Sequence, residues 1–349
     1  MPSSSVDTSH DGGWLDRSEA PVAQAGLSVP FDFESNGKRT GAISLVTSDS
    51  EIGWQAVQIP VGVVKNGAGP TLTVAGGTHG DEPEGPVAAM KLLHRLQPDA
   101  IRGRVIVLPA LNLQAVEAGR REAPSDGLDL NRVFPGDPAG SIAQVTASFV
   151  DEVILPLSDI VLDVHSGGRS MHFPGSLWLL ECADAEMMSR TLDAAGAFGA
   201  PYTIVSPSLG GDMSEAAVRH GCLYLSTELS GGGAVNPDFL AVIERGIGRL
   251  IVHLGMVDGK SGSLASPRMM AVKGSEGIVS APCHGLFEPY VCVEHRVRAG
   301  EPLGCIHSVI APGNAGLEVL SPVDGMVYGL RWPAHVRRAE RIAIIATDD

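Results

Sequence analysis

Two histidines and a carboxylate occupy glycine-rich turns that follow apolar runs. The first turn is Gly76-Gly-Thr-His-Gly-Asp-Glu-Pro-Glu-Gly85, directly after Thr71–Ala75. The second is Asp163-Val-His-Ser-Gly-Gly168, after Ile160–Val164. His79 and Glu82 stand three apart on a turn that enters a helix, so imidazole and carboxylate can reach one point, and His165 adds a second imidazole. Two histidines and one carboxylate with an open fourth position form a catalytic zinc set. Each residue alone has a plainer explanation: His79 could cap a turn, Glu82 could favour the positive end of the following helix, and His165 could be a satisfied core histidine. Glu84 rivals Glu82 but lies one step further into the helix. The glycines beside both histidines let backbone and ligand approach closely, so one Zn²⁺ per chain on His79, Glu82 and His165 is expected. A His₂Glu set also admits other divalent ions.

Two further segments could act on what such a centre binds. Gly119–Gly136 (GRREAPSDGLDLNRVFPG) gathers Arg120, Arg121 and Arg132 in a Gly/Pro-rich loop of an acidic chain. Arginine holds carboxylates in bidentate fashion and keeps its charge when desolvated, although a solvated loop paired to Glu122, Asp126 or Asp129 would look the same. Ser226-Thr-Glu-Leu-Ser-Gly-Gly-Gly233 delivers Glu228 from the end of another apolar run. In an apolar setting it could be a general base whose pKa is raised by desolvation, or an ordinary strand-end glutamate. All four segments begin at or just after the C-terminal end of a strand, where open α/β sheets place their sites.

The elements that must position them alternate. Val29–Val64 reads as short alternating β-segments at a sheet edge. Thr71–Ala75, Val105–Pro109, Ile160–Val164 and Cys222–Thr227 read as buried strands. Helices are expected over Glu84–Leu96, with Val87, Met90, Leu93 and His94 on one face, over Ile142–Leu155 and over Pro237–Leu254. This is an α/β pattern with a mostly parallel sheet flanked by helices. Residues 1–25 read as a flexible segment, 26–255 as the catalytic domain, 256–267 (MVDGKSGSLASP) as a linker, and 268–349 as an all-β domain, a sandwich or barrel. That last stretch repeats itself at an offset of 40: Ala281-Pro-Cys-His-Gly285 against Ser321-Pro-Val-Asp-Gly325, and Glu294–Ala299 against Ala334–Ala339. Such a repeat resembles biotinyl/lipoyl-like domains, but neither copy carries their modified lysine, which disfavours a carrier role.

Composition bounds the partners. Lys+Arg 25 against Asp+Glu 40 leaves a net charge of −15, which argues against nucleic acid or an anionic membrane surface. Five cysteines, an odd number without a CxxC pair, argue against a disulfide framework or a cysteine-built zinc finger. With no apolar leader and no run of 18 or more apolar residues, a cytoplasmic protein acting on a small molecule is expected.

The motifs HGDEPEG, GLDLNRVFPG, DVHSGG and STELSGGG, in this order, resemble the succinylglutamate desuccinylase/aspartoacylase family, a branch of the zinc carboxypeptidase clan. The resemblance covers roughly 29–349, and the wording, with HGLFEP at 284–289, is most like the N-α-acetyl-L-2,4-diaminobutyrate deacetylase branch of ectoine degradation. It implies His79, Glu82 and His165 as zinc ligands, Glu228 as general base and acid, and Arg121 as the group that polarises the scissile carbonyl. It also implies Asn131 and Arg132 as the grip on a substrate α-carboxylate. A one-residue shift would exchange Arg120 and Arg121. Side-chain specificity is expected from Ser206–Arg219, with Asp212 or Glu215 for an ammonium and Arg219 for a carboxylate, and from Phe287–Tyr290. The implied activity is hydrolysis of an N-acyl amino acid, by a homo-oligomer. A metallocarboxypeptidase and a non-catalytic binding module are the alternatives; a cysteine hydrolase is excluded because no cysteine lies in a glycine-rich turn at a strand end.

Overall fold

The computed structural model describes residues 27–49, 53–208, 210–259, 267–272 and 274–348. The flexible segment expected over 1–25 and the middle of the expected linker, 260–266, lie outside the described residues. The first nine strands are β1 (Leu27–Ser28), β2 (Gly37–Asp49), β3 (Gly53–Asn66), β4 (Thr71–Gly76), β5 (Gly103–Leu108), β6 (Ile160–Val164), β7 (Met171–Leu180), β8 (Tyr202–Ser206) and β9 (Leu223–Gly231). They lie side by side in the order β1-β2-β3-β5-β4-β6-β9-β7-β8. The helices are α1 (Glu84–Arg95), α2 (Leu113–Ala118), α3 (Ile142–Phe149), α4 (Leu155–Leu157), α5 (Ala185–Phe198), α6 (Met213–Arg219) and α7 (Pro237–His253). A π-helical stretch, Val150–Ile154, joins α3 to α4, so the helix expected over Ile142–Leu155 is continuous but widened and underwound in the middle.

The four strands β5-β4-β6-β9 run parallel to one another. They are buried on both faces, which is why they read as unbroken apolar runs. Along β6, Ile160 and Leu162 pack with Ala88, Ala194 and Ile243 of α1, α5 and α7. Val161 faces the other way, toward Phe149 of α3 and Ile43 of β2. Antiparallel pairs flank this centre, at β2–β3, β3–β5 and β7–β9, and β7–β8 is again parallel. The region expected as short segments is a hairpin of one 13-residue and one 14-residue strand.

The face expected for α1 is corrected. Met90 is 53% exposed and His94 is exposed, while Gly85, Ala88 and Ala89 are buried. Small residues face the sheet because the helix start presses on it: a Cβ on Gly85 would lie 2.7 Å from the Val164 carbonyl oxygen. β7, β8 and α5 were not anticipated. Pro174-Gly175 interrupts the β7 pattern, and the β7–β9 register shifts between Phe173 and Ser176.

The C-terminal strands are β10 (Arg268–Ala271), β11 (Ile278–Ser280), β12 (Gly285–Pro289), β13 (Arg296–Val297), β14 (Pro302–His307), β15 (Leu317–Leu320), β16 (Gly325–Arg331), β17 (His335–Val336) and β18 (Arg341–Asp348). Four of them form a separate sheet, β15-β14-β12-β17. The others extend the main sheet: β10 lies parallel to β8, and β18, β16 and β13 follow, with β11 beside β18. β16 also pairs with β7, Leu330 opposite His172. Met171, Phe173 and Ile204 pack with Met270, Met326, Tyr328 and Ile344 across this junction.

The internal repeat is visible as strands. Gly285 and Gly325 begin equivalent strands 40 apart, but Gly300 and Ala339, both at positive φ, mark equivalent turns 39 apart. The second half of the 40-residue alignment is therefore out by one. The copies also exchange partners: the Ala281 N–H donates to Glu340, and the Ser321 N–H to Glu301.

The turn carrying His79 leans on α2. A Cβ on Gly80 would stand 1.9 Å from the Ala115 carbonyl carbon, which neither backbone can accommodate without moving. Gly80→Ala is expected to lower unfolding stability by about 1–3 kcal/mol, the usual cost of overpacking, read by chemical denaturation. A change under about 0.5 kcal/mol would show that this turn is free to shift.

Candidate active site

β4 and β6 are adjacent and parallel, with Gly76 opposite Val164, so the turns that leave them emerge side by side. His79, Glu82 and His165 meet there, one ligand atom from each within 4.8 Å of the others, and all three are buried. His79 Nδ1 lies 2.8 Å from Glu82 Oε1, and His165 Nδ1 lies 2.9 Å from Glu82 Oε2. The two Nδ1 atoms are 3.2 Å apart. Glu84, the rival ligand, points away and accepts from the Asn236 N–H at 3.4 Å.

Each imidazole is held from behind. His79 Nε2 lies 3.0 Å from Asp129 Oδ1, and His165 Nε2 lies 2.8 Å from Asp163 Oδ2. Thr78 and Tyr224 donate to Asp163 at 2.9 Å and 2.8 Å, which orients a carboxylate that is itself fully buried. With Nε2–H donating to a carboxylate, Nδ1 keeps its lone pair and faces the cluster, the tautomer a metal ligand needs. Burial alone would lower both histidines. Glu82 and Asp129 around His79, and Asp163 and Glu82 around His165, instead raise them above the ordinary imidazole value. Burial would raise Glu82, but the two histidines hold it below the usual carboxylate range. Two Nδ1 atoms and one carboxylate converge on one point, a donor arrangement that a divalent cation can occupy. This donor set fits zinc.

The remaining expected residues line the same cavity, of about 400 Å³. Arg121, not Arg120, faces the cluster: its Nε donates to Asp129 Oδ2 at 3.0 Å, and one terminal nitrogen lies 3.6 Å from Glu82 Oε1. Arg120 is exposed. The ion pair with Asp129 and the approach to the cluster are therefore both present, so the two readings of this loop describe one arrangement. Asn131 accepts from the Met213 N–H at 2.9 Å, and the Phe134 N–H donates to Gly211, which fixes the Asn131–Arg132 loop over the cavity. Glu228 enters from β9, and its Oε2 has no hydrogen-bond partner although shielded from solvent. Burial, then the charge of Glu82, pushes its carboxyl up to about 8, against the pull of both histidines and Arg121.

Of the specificity segments, Ser206, Ser208, Asp212 and Ser214 reach the cavity. Asp212 is buried and accepts from Ser208, Ser214 and the Glu215 N–H. Glu215 instead accepts from Gly211, and Arg219 pairs with Asp151 at 3.0 Å. Phe287–Tyr290 does not line the cavity: Phe287 is in the C-terminal core and Tyr290 is exposed. The C-terminal strands contribute Arg341 and Ile344 of β18 instead, because β18 is the strand that joins the main sheet. Sequence reasoning also missed Asp129 and Asp163 as supports of the histidines. The spacing Asp163-Val-His165, two residues apart at a strand end, was the available signal.

Comparisons with known proteins agree with this geometry. Residues 68–254 match the family model described as succinylglutamate desuccinylase/aspartoacylase catalytic domain. The chain is 40% identical over 323 residues to an N-alpha-acetyl-L-2,4-diaminobutyric acid deacetylase from Halomonas elongata, covering 92% of this chain and 94% of that one. A crystal structure of a succinylglutamate desuccinylase/aspartoacylase from Rhodobacter sphaeroides is 40% identical, with a TM-score of 0.87 over 93% of this chain and 100% of the other. The product-bound ectoine utilization protein EutE (DoeB) from Ruegeria pomeroyi is 29% identical, with a TM-score of 0.88 over 92% and 98%.

Removing the support of one histidine tests the site without touching a ligand. Asp163→Asn is expected to weaken metal affinity about 10–100-fold, the usual effect of losing such a partner, measured by competition with a chelator. Unchanged affinity would mean that Asp163 only fills the core.

Proposed function

The chain belongs to the succinylglutamate desuccinylase/aspartoacylase family, and on that premise we propose a zinc-dependent amidohydrolase that removes the acyl group from a small N-acyl amino acid. N-α-acetyl-L-2,4-diaminobutyrate is the favoured substrate. The observation that carries the reading is the convergence of His79, Glu82, His165, Arg121 and Glu228 on one cavity at the ends of β4, β6 and β9. The 40% identity to a diaminobutyrate deacetylase supports the substrate. So does Asp212, a buried carboxylate on the cavity wall of the right charge to meet a side-chain ammonium. The same reading carries a cytoplasmic, homo-oligomeric enzyme of amino-acid breakdown; among the described residues no helix is long and apolar enough to cross a membrane.

The roles divide by charge and reach. His79, Glu82 and His165 would hold the zinc, with Asp129 and Asp163 keeping the imidazoles in the ligating tautomer. Bound there, zinc supplies a water acidified toward neutrality and a Lewis acid for the substrate carbonyl. Arg132 and Asn131 take the α-carboxylate, which sets the amide across the cluster. Glu228 accepts the proton of the attacking water as its oxygen bonds to the carbonyl carbon. Its raised pKa suits this task, since a base works best when its pKa lies near the working pH. Arg121 donates to the carbonyl oxygen as charge builds there, a contribution worth about 10²–10³ in rate for one such donor. Glu228 then passes its proton to the amine nitrogen as the C–N bond breaks, which leaves a carboxylic acid and the free amino acid.

Free-amine release from N-α-acetyl-diaminobutyrate, N-acetylaspartate and N-succinylglutamate by zinc-loaded protein tests the assignment. Turnover of one member is expected, and Glu228→Gln is expected to keep its zinc while losing nearly all of it; no turnover on any member would move the reading toward peptide substrates. Arg132→Ala is expected to raise KM at least tenfold with a smaller effect on kcat. A collapse of kcat at constant KM would place Arg132 on the carbonyl oxygen instead.

A further inference from the structure

The strand that carries Glu228 is irregular at the point where it matters. β7 runs antiparallel to β9 with Ser176 opposite Glu228, but Pro174 has no N–H to give and the register shifts between Phe173 and Ser176. Two residues further along β9, Ser230 sits at φ 56°, a conformation that costs a non-glycine residue energy. The β7–β9 ladder holds at the Ser176–Glu228 pair and becomes irregular immediately beyond it. A side chain adds to it there: the Ser176 hydroxyl lies 2.6 Å from the Glu228 carbonyl oxygen and donates to it.

That hydroxyl is in turn fixed from the C-terminal part of the chain. Tyr328, on β16, has its Oη 2.6 Å from Ser176 Oγ. Ser176 has one proton, and a carbonyl can only accept, so the tyrosine must be the donor to the serine. The chain of bonds runs Tyr328 O–H to Ser176 O–H to the Glu228 carbonyl. Ser176 and Tyr328 are 1% and 0% exposed, so both hydroxyls are shielded from bulk solvent. Burial and the charge of Glu228 push the phenol well above its ordinary value, which keeps it protonated as a donor. The ring is held as well, with Phe173 at 5.3 Å and Trp178 at 6.0 Å between centroids, and both of those side chains line the cavity.

We propose that Tyr328 is a positioning residue for the reaction: acting through Ser176, it fixes the backbone of Glu228 and so makes the C-terminal β-structure part of the catalytic apparatus. The inference rests on Glu228 being the general base. Tyr328 is not among the residues that line the cavity. Its contribution lies in removing freedom from a peptide whose side chain must meet the attacking water within a fraction of an ångström, and a misplacement of about 1 Å can cost on the order of 10² in rate.

Tyr328→Phe keeps the ring and removes only the donor. With zinc-loaded protein and the best substrate of the wild type, kcat is expected to fall about tenfold with KM within about twofold and zinc content unchanged. Ser176→Ala should do the same or more, and the double variant should be no worse than Ser176→Ala, because both act through one chain of bonds. A purely structural hydroxyl would lower the melting temperature, leave kcat per zinc-bearing protein at the wild-type value, and give additive losses; that result overturns the proposal. Amide hydrogen exchange gives a readout independent of substrate: the Leu225–Gly231 peptide should exchange faster in Tyr328→Phe while the β4 and β6 peptides do not change, and unchanged exchange in Leu225–Gly231 overturns it. If Glu228→Gln retains activity, the general-base assignment is what fails, whereas an inactive Glu228→Gln beside a wild-type-like Tyr328→Phe removes only the relay.

Discussion

The structure is organised around a charge problem at the end of a dry sheet. Glu82, Asp129, Asp163 and Glu228 surround two imidazoles and one guanidinium in a largely buried cluster, where charges are screened less than in water. Burying a carboxylate without compensation is costly, so each one is tied to a named partner. Asp163 has His165, Thr78 and Tyr224; Asp129 has His79, Arg121 and the Asn131 N–H; Glu82 has both histidines and the Ser166 N–H. Of these four, only Glu228 keeps a buried oxygen without a hydrogen bond, and its carboxyl is the one pushed up to about 8 while those of Glu82, Asp129 and Asp163 are pushed down. Compensation and its one exception separate the groups suited to hold a cation from the group suited to move a proton.

This arrangement explains the demands on the scaffold. Parallel strands put the exits of β4 and β6 next to one another, and small residues let α1 and α2 close over the turns. Helices and a β-hairpin cover both faces, which keeps water away from the strand ends that carry the cluster. The C-terminal strands are not an appendage to this scaffold. Through β8–β10 and β7–β16 they continue its sheet, and they supply Arg341 and Ile344 to the cavity and Tyr328 to the layer behind it.

The chemistry-bearing residues were legible because glycine-rich turns after apolar runs are local signals. His79, Glu82, His165, Glu228 and the arginine loop all stand out from a few neighbouring residues. The central strands and α7 were legible for the same reason: full burial writes continuous apolar runs, and Asn236-Pro237 marks a helix start whose Asn side chain accepts from the Asp238 and Phe239 N–H groups. The α1 face was misread because close packing on the sheet selects glycine and alanine, which carry little hydrophobic signal, and leaves a methionine outside. β7 was missed because Pro174-Gly175 masks a strand whose partners are far away in sequence.

By itself, then, the sequence determined the residue types, their order, and the alternation of strand and turn that brings each to a strand end, since these depend on contacts within a few residues. Only the tertiary structure decided between Arg120 and Arg121 and between Glu82 and Glu84. It also decided which carboxylates stand behind which imidazoles, and which C-terminal side chains reach the cavity. Those outcomes depend on where one backbone passes another. In a close-packed interior that is settled by the whole set of neighbours at once, and a run of ten residues does not record it.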